Sequence, residues 1–164
     1  NMDYTRLNNI DNSQGGADKI YIFPFVEYSQ AVITVADNYL TVFPSSNIYE
    51  LKAFTISFDE DVSESYDQKL SFQLKKILPT DNFKELAASD WRIIIKDNNG
   101  YFRMLGLYTG LQGTFTKSIG ANRSDFNGYN FSFNTKEIIS APFLVDLSNF
   151  NSQDYLQAIL QFTI

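Results

Sequence analysis

The segment from Asp97 to Leu144 constrains the fold more than any other part of the chain. It reads DNNGYFRMLGLYTGLQGTFTKSIGANRSDFNGYNFSFNTKEIISAPFL, with alternating and β-branched runs interrupted by Asn98-Asn99-Gly100 and by Asn127-Gly128. Asn-Gly accepts positive φ at both central positions of a tight turn, so each pair marks the pivot of a hairpin. A chain carrying two such pivots in succession is expected to fold as antiparallel β-structure.

The rest of the sequence agrees. Lys19 to Tyr28 (KIYIFPFVEY) is almost wholly apolar, with Pro24 marking an edge position or a bulge. Ala31–Val35 and Tyr39–Phe43 flank Asp37-Asn38 as a short hairpin, and Pro44-Ser45-Ser46 breaks the run. Ile48–Phe58 and Leu70–Leu78 form the clearest pair. Phe54, Ile56 and Phe58 alternate with Thr55 and Ser57, and Leu70, Phe72 and Leu74 with Ser71, Gln73 and Lys75. Period-two alternation places each apolar set on one face of a half-buried strand. Between them residues 59–67 (DEDVSESYD) read as a long acidic hairpin tip. Trp91–Lys96, Tyr101–Tyr108, Gly113–Ile119 and Tyr129–Asn134 complete the strands, and alternation from Leu156 to Ile164 predicts a last one. One short α-helix is expected around 82–89, capped by Asn82 with Glu85 three residues on. The expected fold is mainly β, a sandwich or barrel-like arrangement of antiparallel hairpins. Residues 1–17 form a flexible arm and 18–164 a single domain.

Composition narrows the function. The chain has 164 residues, enough for one well-packed domain. With no His and no Cys it lacks the usual general base at neutral pH, any thiolate and any disulfide. Zinc, haem and iron–sulfur sites lose their normal ligands, and no cofactor or metal is expected. The formal net charge of -6 repels phosphate backbones and anionic lipid, which argues against sequence-specific nucleic-acid or membrane binding. No apolar run approaches the roughly 18–20 residues that span a bilayer, and no signal-peptide pattern appears. The expectation is a soluble, cytoplasmically made, non-enzymatic protein.

Catalytic motifs are weak throughout. Ser71 and Lys75 are misspaced for Ser-x-x-Lys chemistry and sit on a strand. Gly110-Leu111-Gln112-Gly113 lacks the Lys-Ser/Thr ending of a phosphate cradle. Asp11 to Gly16 begins like a calcium loop, but Ile22 stands where the bidentate Glu belongs. The acids Asp59, Glu60, Asp61, Glu64 and Asp67 match no such register either. They read as a solvated tip or a docking surface for a basic partner. Tyr4, Leu7 and Ile10 lie at helix-like spacing in the arm and are candidate subunit contacts. Trp91, Tyr101, Tyr108 and Tyr129 are candidate sugar-stacking residues for a second reading, a monomeric carbohydrate-binding module for host attachment.

The order of features resembles small virion proteins of Bacteroidetes-infecting tailed phages. It runs from Gly15-Gly16 before the strand Lys19–Phe23, through an acidic-tipped hairpin and a helix, to a strand–DxNG–strand hairpin ending at Leu105-Gly106. Asp125–Tyr129 (DFNGY) and Pro142-Phe143 follow. The likeness covers most of residues 15–144, stops before Val145–Ile164, and differs in the loop after Lys117. It implies a component of the tail or head–tail joint, of the tail-tube or neck-ring type. Such a subunit assembles as a homo-oligomeric ring with other virion proteins, in the host cytoplasm and then in the virion. The 59–67 tip, the 109–128 loop and the arm would make the subunit contacts. An acidic lumen would keep DNA from adhering as it passes.

Overall fold

The computed structural model describes residues 16–28, 33–44, 46–75, 89–148 and 150–154. These make a mainly β protein whose strands join into one large sheet. In chain order the strands are β1 (Ala17–Pro24), β2 (Thr34–Ala36), β3 (Tyr39–Val42), β4 (Ser46–Leu51), β5 (Phe54–Val62), β6 (Tyr66–Lys75), β7 (Asp90–Asp97), β8 (Phe102–Leu105), β9 (Leu111–Ser118), β10 (Gly128–Glu137), β11 (Phe143–Leu144) and β12 (Phe150–Asp154). No helix occurs among the described residues, and none there is long and apolar enough to cross a membrane. The helix expected over 82–89 lies outside them except for Ser89, a bend, and so does the strand expected over 156–164. Ala17, assigned to the arm, is already the first residue of β1.

Six strands close on themselves. β1 pairs with β7 from Ala17↔Asp97 to Pro24↔Trp91, and β7 meets β9 at Trp91↔Leu111. β9, β10, β6 and β5 follow in turn, and β5 returns to β1 at Ala17↔Ile56. All these pairings are antiparallel, and the closing contacts at Ile56 and Leu111 are narrow corners. The other strands widen the β1–β7 layer. β4 and then parallel β12 lie beyond β1, while β8, β11, β3 and β2 lie beyond β7.

β1 and β7 are therefore covered on both faces. Ile20, Ile22, Ile93 and Ile95 pack inside the circuit with Leu70, Phe72, Phe131 and Phe133. Tyr21, Phe23 and Ile94 face a second cluster with Phe43, Ile48, Met104 and Phe150. Burial on both sides is why IYIF and WRIII run without alternation. β6 and β10 are covered on one face only and alternate cleanly, with Leu70, Phe72, Phe131 and Phe133 buried and Ser71, Asn130 and Ser132 exposed. Phe72 stacks on Phe131 and Phe133 at 5.1 and 5.9 Å between centroids.

Local geometry corrects several expectations. Ile48–Phe58 splits at Lys52-Ala53, where the Ala53 N–H donates to the Leu51 carbonyl at 2.9 Å. The β5–β6 register then slips between Phe54 and Ser57, with Thr55 at φ 53°. A β-branched residue at positive φ is strained backbone, held here by the pairing on either side. The extra residue throws Phe54 off the face of Ile56 and Phe58. It lies opposite Gln73, exposed, with Lys75 Nζ 4.3 Å from its ring centroid.

The turns also differ in kind. Asp37 and Asn38, at φ 54° and 68°, form the two-residue turn with both central residues left-handed. Asn98-Asn99-Gly100 is a three-residue loop in which only Gly100 has positive φ. Asn127-Gly128 is not a pivot. Residues 119–127 connect β9 to β10, and Gly128 opens β10 between Ser118 and Lys75. Tyr101–Tyr108 yields only the short β8, after which the Gly110 N–H donates to the Gly106 carbonyl at 3.0 Å.

Candidate functional site

The acidic segment is not a long tip. β5 runs to Val62 and β6 begins at Tyr66, so only Ser63–Ser65 turn. Asp59, Glu60 and Asp61 are strand residues of β5, Asp67 belongs to β6, and Glu64 alone sits in the turn. Asp61 pairs with Lys69 at 3.4 Å, an exposed contact contributing at most about 1 kcal/mol. Asp67 accepts from Ser65 Oγ at 2.9 Å. Glu60 points the other way. It accepts from Ser140 Oγ (2.5 Å), the Ala141 N–H (3.0 Å) and Gln68 Nε2 (3.3 Å). Buried Gln68 in turn accepts from the Gly106 N–H at 3.0 Å, so half-buried Glu60 braces two loops. Asp59, Asp61 and Glu64 remain exposed. Among the described residues no three acidic side chains are grouped so as to hold a metal ion. Tyr4, Leu7 and Ile10 lie outside the described residues.

The four aromatic candidates do not share a platform. Trp91 and Tyr129 belong to the interior core, each 4% exposed. Tyr108 is half-buried in the second cluster. Only Tyr101 is exposed, its ring meeting Phe143 edge-on at 5.7 Å. With Trp91 and Tyr129 buried, the four rings do not form one exposed surface.

The structure assembles a different place. Where β1 begins, the circuit opens into a cleft of about 360 Å³ between β5 and the β7–β8 loop. Ile56, Phe58 and Ile95 supply apolar lining, and Ser57, Asp59 and Arg103 supply polar groups. β5 pairs with β1 only at Ile56, so from Ser57 to Val62 it has no strand neighbour on this side among the described residues. Asp97 holds the adjoining loop, its Oδ1 accepting from the N–H groups of Asn99 (3.0 Å) and Tyr101 (2.9 Å). Arg103 stacks 4.6 Å from the Phe143 centroid and reaches Asp97 only loosely, at 3.9 Å. Its Nε is buried without a hydrogen-bond partner among the described residues. Sequence reading missed this cleft because its walls come from three segments far apart in the chain.

The second unforeseen feature is Arg92, 1% exposed within β7. Its Nε donates to the Leu107 carbonyl at 3.0 Å and an Nη to that of Val26 at 2.7 Å. The guanidinium lies 4.3 Å from the ring centroid of Phe25 and 5.2 Å from those of Tyr28 and Phe43. Burial pushes its pKa down to about 10, against the pull of Tyr28 and Glu137, so it stays charged at neutral pH. Buried Glu137 accepts from the Tyr108 and Thr109 N–H groups, each at 3.0 Å. The arrangement pins loops to the sheet and offers no access to a substrate.

The 119–127 connection is organised by Asp125, whose Oδ2 accepts from the Ala121 and Asn122 N–H groups, both at 2.8 Å. Those backbone bonds hold its carboxyl below the usual aspartate range. A lowered native pKa contributes order above the unfolded value of about 3.9 that is lost as pH falls through the native one. Asp125→Ala should loosen this loop at neutral pH as acid does in the parent. Faster amide exchange at Ala121 and Asn122, with the melting temperature nearly unchanged, is the expected result. Unaltered exchange would show that the loop is held by something else.

Comparison with protein-family models, with curated proteins and with solved structures finds no match to this chain.

Proposed function

We propose that the chain is a non-enzymatic structural subunit of a tailed-phage virion, forming a ring or tube in the tail or at the head–tail joint. The resemblance over residues 15–144 suggests the class. The observation that supports it is the asymmetry of the sheet. It ends in β12 on one side and β2 on the other, two unlike edges with no further partner among the described residues. Unlike edges suit a head-to-tail contact, which closes into a ring when the rotation between subunits permits. Exposed Asp59, Asp61 and Glu64 add a negative ridge that disfavours adhesion of DNA.

The test is mass photometry with negative-stain imaging of the purified chain across a concentration series. Closed rings or stacked tubes are expected, and removal of residues 1–15 should weaken them while the monomer stays folded. Assembly unaffected by that deletion would take the arm out of the contacts. A strict monomer at every concentration, alone and with the other virion proteins, would overturn the reading.

A further inference from the structure

The outer face of β5, β6, β10 and β9 has a composition that ring assembly does not explain. The pairing of these strands sets their outward residues in cross-strand rows. One row runs Thr114, Ser132, Ser71 and Ser57, all exposed. The next runs Thr116, Asn130, Gln73 and Phe54, exposed except for half-buried Gln73, whose Nε2 donates to Asn130 Oδ1 at 2.9 Å. At a strand spacing of about 4.8 Å, each row is about 14 Å long. Neither row holds a charge; charges begin in the flanking rows, at Lys75 on one side and at Lys69 opposite Asp59 on the other. A face kept polar for solubility alone is ordinarily spread with charged side chains. Phe54 is a second, independent observation. The bulge with Thr55 at φ 53° turns its ring out of the core and onto the end of a row of uncharged polar groups, where it is 44% exposed. Backbone strain of this kind clusters at functional sites.

We propose that this face binds a neutral polysaccharide, with Phe54 as the stacking residue. Hydroxyl and amide side chains both donate and accept hydrogen bonds, as sugar hydroxyls do. Stripping water from them costs far less than stripping it from charges. The C–H side of a pyranose ring is weakly positive and packs on the negative face of an aromatic ring. One sugar lies on Phe54, and Asn130, Ser71 and Ser132 bond the hydroxyls of those beside it. An anionic ligand calls for cations at the centre of the face, and the two rows supply none. A second copy of the chain calls for an apolar centre, and the rows hold one apolar ring at their margin. The face includes none of Trp91, Tyr101, Tyr108 and Tyr129. Binding there is a property of the single chain and does not depend on assembly.

The test is affinity electrophoresis of the full chain in gels containing laminarin, mannan, xylan or dextran, with heparin as the anionic comparison. At least one neutral polysaccharide should retard the protein. Phe54→Ala, which removes the ring, and Ser132→Glu, which sets a charge in the middle of a row, should each weaken that binding about tenfold or more. Tyr101→Ala, exposed but away from this face, should leave it unchanged. Phe54 and Ser132 are both exposed, so both variants should keep the parent's circular dichroism and melting temperature. Retardation by none of the four neutral polysaccharides, retardation by heparin alone, or binding that neither variant weakens would each overturn the proposal. So would copies of the chain that associate in mass photometry and are dispersed by Ser132→Glu while no polysaccharide binds, which would make the face a contact between subunits. Retardation is read on the unassembled chain, so its failure is separable from failure to form rings.

Discussion

Replacing Gly128 with alanine should cost about 3 kcal/mol or more and leave little folded protein at physiological temperature. A Cβ at this position would land on the Leu74 carbonyl oxygen, and the Lys75 Cα lies 3.0 Å away. Both obstacles are backbone, so no rotamer change relieves them. Gly128 also sits where β10 pairs with β6 and β9 at once, and any retreat shears both registers. Gly100→Ala is the informative comparison. Nothing lies within 4 Å of its added Cβ, and only the φ of 89° opposes it, at a cost of about 1–2 kcal/mol. Urea denaturation followed by circular dichroism measures both. Equal losses would mean that backbone preference, not collision, requires glycine at 128.

The second large effect is expected from Arg92→Ala, about 3–5 kcal/mol. The substitution empties a site walled by Phe25, Tyr28 and Phe43, and it strands the carbonyls of Val26 and Leu107 without donors. For a chain of this size that corresponds to roughly 6–20 °C in melting temperature. Arg92→Met separates the two contributions, since it refills most of the volume and restores neither hydrogen bond. An intermediate loss is expected. Lysine is no rescue, because a single ammonium cannot reproduce the planar fork that meets both carbonyls while stacking on Phe25. A loss below about 1 kcal/mol for Arg92→Ala would show that water reaches those carbonyls and that the cage is not structural.

These two residues also mark what sequence could reveal. Alternation along Leu70–Lys75 identified a strand and its buried face because β6 is covered on one side only. The same logic failed at Phe54, where a bulge at Thr55 moves one residue and inverts the face. Asn127-Gly128 resembles a turn in isolation; its glycine answers to the nearby Leu74 carbonyl, a contact from another strand. Reading Trp91–Lys96 as a strand left Arg92 without a role. The missing signal was the run around it, since a charge inside an uninterrupted apolar stretch is buried on both faces with its strand. The acids at 59–67 were read as a long hairpin tip, whereas only Ser63–Ser65 turn. Charge pattern does not say where a hairpin ends, and the inward turn of Glu60 depends on Ser140 and Ala141.

The double burial of β1 has a consequence for synthesis on the ribosome. Its early partner is β4, paired at residues 20–22 with 49–51, but its other side waits for β7 at 91–97. At ordinary elongation rates the interval between Pro24 and Trp91 lasts on the order of 3–13 s. Throughout it, Ile20, Tyr21, Ile22 and Phe23 have at most one flank paired, and neither buried cluster can close. The nascent chain is therefore most exposed to association with its own copies until β7 has been made, and translation speed through that stretch bears directly on the yield of folded protein.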